Sequence, residues 1–158
     1  LHISKKVKKL LDKNDFTFSI NTNISEVIKN IQTHHKSNWL TNEYYEILKK
    51  VKEYKDPNID FELLSIELWD KSKTVLIAGE IGYKTGSVYI SLTGFCLKDK
   101  KYNNFGKLQM VLLALYLEEN NFSFWNLGHP YMQYKFDLGA ISFSREEFLK
   151  RWLKEISI

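Results

Sequence analysis

Residues 61 to 96 read FELLSIELWDKSKTVLIAGEIGYKTGSVYISLTGFC, and this stretch decides the fold. It holds three runs rich in Ile, Val, Leu and aromatics: Phe61 to Trp69, Thr74 to Tyr83 and Ser87 to Phe95. Asp70-Lys71-Ser72 and Lys84-Thr85-Gly86 separate them as turns. Such runs joined by short polar turns predict consecutive antiparallel strands, a three-stranded meander. Beyond a polar loop, Leu97 to Asn104, comes the most apolar segment of the chain, Leu108 to Leu117, which carries no breaker. A segment apolar on nearly every side predicts a buried helix. Phe122 to Leu127 then reads as a short strand.

Upstream of the meander, Ser4 caps a helix through about Lys13, with Val7, Leu10 and Leu11 on one side and Lys5, Lys6, Lys8 and Lys9 on the other. Phe16 to Ile20 alternates as a strand, and Asn23 with Glu26 forms an asparagine variant of the capping box for a helix from Ile24 to about His34. After a polar stretch around Ser37 and Trp39, Thr41 is the N-cap of a helix that stops near Tyr54, before the Asp56-Pro57-Asn58 breaker. Downstream, a loop with Gly128 and Pro130 leads to Ser144, which caps a last helix bearing Glu147, Phe148, Trp152 and Leu153. No repeat, low-complexity tract or linker divides the chain.

At 158 residues, 44% apolar and 15% aromatic, the chain has material for one core without disulfides or a structural metal. Cys96 is the single cysteine, which excludes an internal disulfide, and four scattered histidines have no zinc-like spacing, so neither metal nor cofactor is expected. No apolar run approaches the roughly 18 residues of a membrane span, and the first residues are basic and amphipathic rather than signal-like. These features predict a soluble intracellular protein, cytoplasmic or organellar, with no membrane contact. The net charge of +4 permits phosphate binding without requiring it; only Arg145 and Arg151 are arginine. With lysine used heavily throughout, single lysines carry little functional weight.

The order of elements resembles the GNAT acyltransferase fold: α+β, with a mixed sheet containing the antiparallel meander, flanking helices and a buried helix. A narrower resemblance rests on ordered words. Leu1-His2-Ile3-Ser4, Asn38-Trp39-Leu40-Thr41, Ser65-Ile66-Glu67-Leu68-Trp69, Leu76-Ile77-Ala78-Gly79-Glu80-Ile81-Gly82 and Asp137-Leu138-Gly139-Ala140 with Ser144-Arg145 and Phe148 are similar, in order, to segments of the C-terminal domain of leucyl/phenylalanyl-tRNA-protein transferases. The resemblance implies a single GNAT-like aminoacyl transferase domain over 1–158, with the family's small N-terminal domain absent or trimmed. It further implies transfer of a Leu- or Phe-like amino acid from aminoacyl-tRNA to the N-terminal amine of an acceptor protein with a basic first residue, as in N-end-rule tagging for degradation. Oligomeric state has no signal.

By the same resemblance, Trp39 would stack on the terminal adenosine of the tRNA, a contact worth about 1–3 kcal/mol; its other reading is a core tryptophan pinning two helices. Tyr89, Phe95 and Leu113 match the apolar aminoacyl pocket, and each is also an ordinary core residue by pattern. Two matched pocket positions depart from the family, with Glu80 and Gly94 standing where methionines are expected, and a pocket glutamate falls at Leu92. The family's Asp-x-Gln reads Asn126-Leu127-Gly128 here, which leaves His129 as the nearby side chain with an intrinsic pKa suited to proton transfer. Asn126 and His129 are therefore the catalytic candidates, with a structural loop histidine as the other reading. Lys107 and Lys135 are placed nearer the cleft than the basic first helix, as candidates for tRNA phosphates, against a reading as solvated charge. An acyl-CoA-dependent N-acetyltransferase is disfavoured because Lys101 to Lys107 lacks that group's glycine-rich pyrophosphate loop. A catalytically weakened module that binds tRNA or protein N-termini is the remaining alternative.

Overall fold

The computed structural model describes residues 1–35, 39–54 and 56–156. Its elements in chain order are α1 (Lys5–Lys13), β1 (Phe16–Ile20), α2 (Ile24–His34), α3 (Asn42–Glu53), β2 (Phe61–Asp70), β3 (Leu76–Thr85), β4 (Val88–Cys96), α4 (Phe105–Glu119), β5 (Phe124–Asn126), α5 (Gln133–Asp137) and α6 (Arg145–Ile156), plus a 3-10 turn at Lys100–Tyr102. The five strands form one sheet in sequence order. β1 to β4 are antiparallel neighbours, and β5 lies parallel to β4, which makes the sheet mixed. This is the expected α+β architecture.

Local signals placed most helix starts. Ser4 Oγ accepts from Val7 N–H, Asn23 Oδ1 from Glu26 N–H, and Thr41 Oγ1 from Tyr44 N–H. At Ser144 a full capping box forms, with Ser144 Oγ accepting from Glu147 N–H and Glu147 Oε2 accepting from Ser144 N–H. At Asn23 only half of the box forms, because Asn23 N–H donates to Glu67 Oε1 on β2 instead, at 2.9 Å.

Two layers cover the sheet. Val27, Ile28 and Ile31 of α2 and Leu48 of α3 pack with Leu63, Ile81 and Phe95 on one face. On the other, α4 places Leu108 and Val111 against Leu68 and Ala78, and Leu113 and Leu117 against Leu64, Ile66 and Tyr89. Val7 of α1 joins the α4 layer. Alternation along strands sets these faces, and one bulge changes the count. Gly82 pairs with Ser91 and Ile81 with Thr93, so Leu92 is the extra residue in β4. That extra residue turns Phe95 away from the face that holds Tyr89.

Three differences from the sequence reading have local causes. α4 begins at Phe105, earlier than Leu108, because Asn104 takes a left-handed conformation (φ 69°) that starts the helix without a side-chain cap. β5 has three residues rather than the span Phe122 to Leu127, since β4 and β5 pair only through Val88↔Phe124, Tyr89↔Trp125 and Ile90↔Asn126. α5 is too short to leave a periodic signal, and its five residues had read as loop.

Candidate functional site

β4 continues to Cys96 after its pairing with β5 has ended at Ile90↔Asn126, so the sheet opens between the two strands. The candidate site lies at and beside this opening.

On the α4 face, Tyr89, Ser91 and Glu80 meet. Glu80 is buried, and its Oε1 accepts from Tyr89 Oη and Ser91 Oγ at 2.8 Å each. Gln109 Nε2 of α4 donates to Oε2 at 3.2 Å. Trp125 Nε1 of β5 donates to Ser91 Oγ at 2.8 Å, which extends the network across the splayed strands. Burial pushes the Glu80 carboxyl above its ordinary range, and the three donors only partly oppose this. Burial, with Glu80 beside it, also carries the Tyr89 phenol well above its usual value. Among the described residues Glu80 has no cation partner; burial favours its neutral form, and the three neutral donors pull the other way. Glycines make the room: a Cβ on Gly82 would strike Tyr89, and one on Gly94 would strike Glu80.

The structure brings some of the expected pocket residues together and separates others. Tyr89 and Leu113 share one buried cluster. Phe95 is buried on the opposite face, against α2 and α3, with its ring centroid 6.1 Å from that of His34. His35, which sequence reasoning passed over, has Nε2 at 2.9 Å from Gly94 O and ties the end of α2 to the unpaired part of β4.

Trp39 is 46% exposed in the segment that leads into α3, packed edge-on against Tyr44 at 5.0 Å and 89°. Its burial in a helix–helix core, one of its two sequence readings, does not occur; Leu40 takes the buried place beside it. Asn38, part of the same family-like word, lies outside the described residues, as does Ser37.

At the end of β5, Asn126 Oδ1 accepts from Gly128 N–H at 2.9 Å and shapes the turn that follows. His129 is exposed, and its ring lies 5.3 Å from that of Tyr131. Lys107 is exposed on α4 and bridges to Asp137 of α5 at 3.6 Å, a surface pair. Lys135 is placed differently from a solvated lysine: it is 7% exposed, and Nζ donates to Leu127 O at 2.5 Å and His129 O at 2.8 Å. Burial lowers its pKa. Asn126, His129 and Lys135 all line one cavity of about 940 Å³ between the loop after β5 and α6. Trp39, Glu80, Tyr89, Phe95, Lys107 and Leu113 do not line that cavity.

Sequence reasoning also missed Gln109, Ser91 and Trp125 as members of the Glu80 network. Gln109 had a signal: it is the one side-chain amide in the apolar run Leu108 to Leu117.

Among the described residues no helix is long and apolar enough to cross a membrane. A family model described as leucyl/phenylalanyl-tRNA protein transferase matches residues 1–153. Relatives similar to the chain include the leucyl/phenylalanyl-tRNA–protein transferase of Flavobacterium johnsoniae, 30% identical over 153 residues, covering 94% of this chain and 66% of the relative. That of Flavobacterium psychrophilum is 27% identical over 154 residues, covering 95% and 67%. The chain thus spans about two thirds of the length of the curated relatives it matches. With the match running from Leu1 into α6 across every strand of the sheet, this chain belongs to the leucyl/phenylalanyl-tRNA protein transferase family.

Proposed function

We propose that this chain transfers an amino acid from aminoacyl-tRNA to the N-terminal amine of an acceptor protein. The amine nitrogen attacks the ester carbonyl of the charged tRNA, the new C–N bond forms, the C–O bond to the terminal ribose breaks, and the amine's proton ends on the released hydroxyl. An activated ester needs alignment more than strong acid–base help, and alignment alone supplies much of an acceleration of this kind. That suits a site where Asn126, without an ionisable side chain, stands in the place of the family's aspartate.

Family membership over residues 1–153 carries the proposal. Two features support it. Trp39 offers an exposed indole face for a base, and β4 and β5 part beside Asn126 to leave a gap for two substrates. Under this reading Trp39 takes the terminal adenosine, Tyr89 and Leu113 close the aminoacyl side of the cleft, and Asn126 and His129 stand nearest the reacting amine. Phe95 contributes through the α2 layer beneath, and Lys107 contributes general positive potential.

The donor is Leu- or Phe-like and the acceptor begins with a basic residue, consistent with tagging for degradation in a cytoplasmic or organellar compartment. The test is incubation with charged tRNA and peptides beginning with Arg or Lys, read by mass spectrometry, beside a parallel assay with acetyl-CoA. A mass increase equal to one aminoacyl residue is expected. Acetylation from acetyl-CoA with no aminoacyl transfer would overturn the proposal, and binding of charged tRNA with no transfer would reduce the chain to a binding module.

A further inference from the structure

We propose that the cavity between the loop after β5 and α6 binds phosphodiesters of the charged tRNA's acceptor strand, an inference that rests on the function proposed above. The chain has two arginines in all, and both line this one cavity. Guanidinium matches phosphate with two parallel N–H donors, which ammonium does not, so placing both arginines here in a chain with 21 lysines is a chemical choice.

The placement of each cation supports a ligand rather than a structural role. Arg145 is the first residue of α6, where the helix dipole opposes positive charge, so it contributes nothing to helix stability there. Arg151 lays its guanidinium on the Phe143 ring at 4.3 Å, which orients the group and leaves its edge to donate. Neither arginine forms an ion pair among the described residues. The nearby acids take their hydrogen bonds from other groups: Glu147 accepts from Ser144 and feels the Arg151 charge only through space, and Glu155 accepts from Ser87 and Ser123 with Lys154 at 3.3 Å.

Lys135 is the independent observation. A buried ammonium with no carboxylate partner is costly, and two carbonyls satisfy only two of its three donors. An anion seated in the cavity would supply the missing counter-charge. Counting ionic lining groups, Lys135, Arg145, Arg151 and Lys154 face a single carboxylate, Glu155.

Phe136 and Phe143 add aromatic wall to this charge, the combination that holds a nucleotide strand by stacking and phosphate contact. Asn126 and the loop that follows β5 form one side of the cavity, so a strand lying in it would lead toward the reacting centre.

The experiment compares two donors for the whole chain, charged tRNA and a phosphate-free 3′-aminoacyl-adenosine, in Arg145→Gln, Arg151→Lys and Arg145→Gln/Arg151→Gln. The double variant should raise KM for charged tRNA about tenfold and lower the slope of log affinity against log salt by about two, while KM for the small donor holds. Arg151→Lys keeps charge but not the fork and should fall between. Arg145→Gln, exposed at a helix start, keeps the test open if the double variant folds poorly. Unchanged KM for charged tRNA overturns the inference, and so does equal loss with both donors. A raised KM for the acceptor peptide alone would assign the cavity to the acceptor and equally overturn it. If the wild type uses neither donor, the proposed function fails and takes this inference with it; if it uses both and the variants leave KM for tRNA intact, only this inference falls.

Discussion

Glu80 and position 94 occupy one space: a Cβ built on Gly94 would lie 2.8 Å from Glu80 Cβ and 2.8 Å from Gly79 O. The two residues face each other across β3 and β4, so the acid and the glycine form a coupled pair. By the resemblance drawn from the sequence, both stand where methionines are expected. Gly94→Ala should therefore destabilise by about 1–3 kcal/mol, an overpacking cost. Reducing Glu80 as well should recover only part of the loss, because the carbonyl of Gly79 stays in the way. A double-mutant cycle in urea measures the coupling, and fully additive effects would show that the two positions are independent.

The raised pKa of Glu80 has a definite sign in stability. The folded state keeps its proton to higher pH than the unfolded chain does, so the contribution is full below the unfolded value and is lost as pH rises through the folded one. Glu80→Gln, neutral at every pH, should remove this dependence. Relative to that variant, the wild type should lose stability as pH climbs above the ordinary carboxylate range, measured as Tm across a pH series. A parallel pair of curves would mean that Glu80 ionises without cost.

Glu67 is the opposite case. Burial alone would raise its pKa, but Ser19, Ser65, Thr22 and the Asn23 N–H together hold it below the usual value. Its oxygens take the hydroxyls of Ser19 and Ser65 at 2.6 Å, the Thr22 hydroxyl, and the backbone N–H groups of Thr22 and Asn23 at the start of α2. Glu67→Gln turns an amide toward those N–H donors and should cost about 2–3 kcal/mol in denaturant unfolding. In the wild type this stability should disappear as pH falls through the depressed folded pKa.

Trp39→Ala should weaken binding of the charged 3′ end by about 1–3 kcal/mol while changing stability little, since the indole is partly exposed and leans edge-on against the Tyr44 ring. Fluorescence titration with charged tRNA and thermal melts separate the two effects. A variant that melts early but binds normally would return Trp39 to a packing role.

The meander and the helices with polar caps were legible because turn residues and caps are local signals: Ser4, Asn23, Thr41 and Ser144 each sit next to the helix that they start. The sides of the strands were less so. Tyr89 and Phe95 have the same parity in sequence, and simple alternation would put both on one face. The bulge at Leu92 separates them, and no residue type announces it. Glu80 could be assigned to neither face until Gln109 and Ser91 were seen to donate to it. Lys135 read as a phosphate contact or as solvated charge, and in neither case as a buried group, because its two carbonyl partners come from the loop that follows the short β5.

That three-rung parallel pairing has a consequence for how the chain assembles. β2, β3 and β4 are joined by tight turns and can zip together early, whereas β5 meets β4 only after the crossover through α4 is complete. β5 is therefore the last strand to dock and the first to leave. Amide exchange of Trp125 and Asn126 should run ahead of that of Ile66 and Ile81, so the gap beside Asn126 belongs to the part of the sheet that breathes.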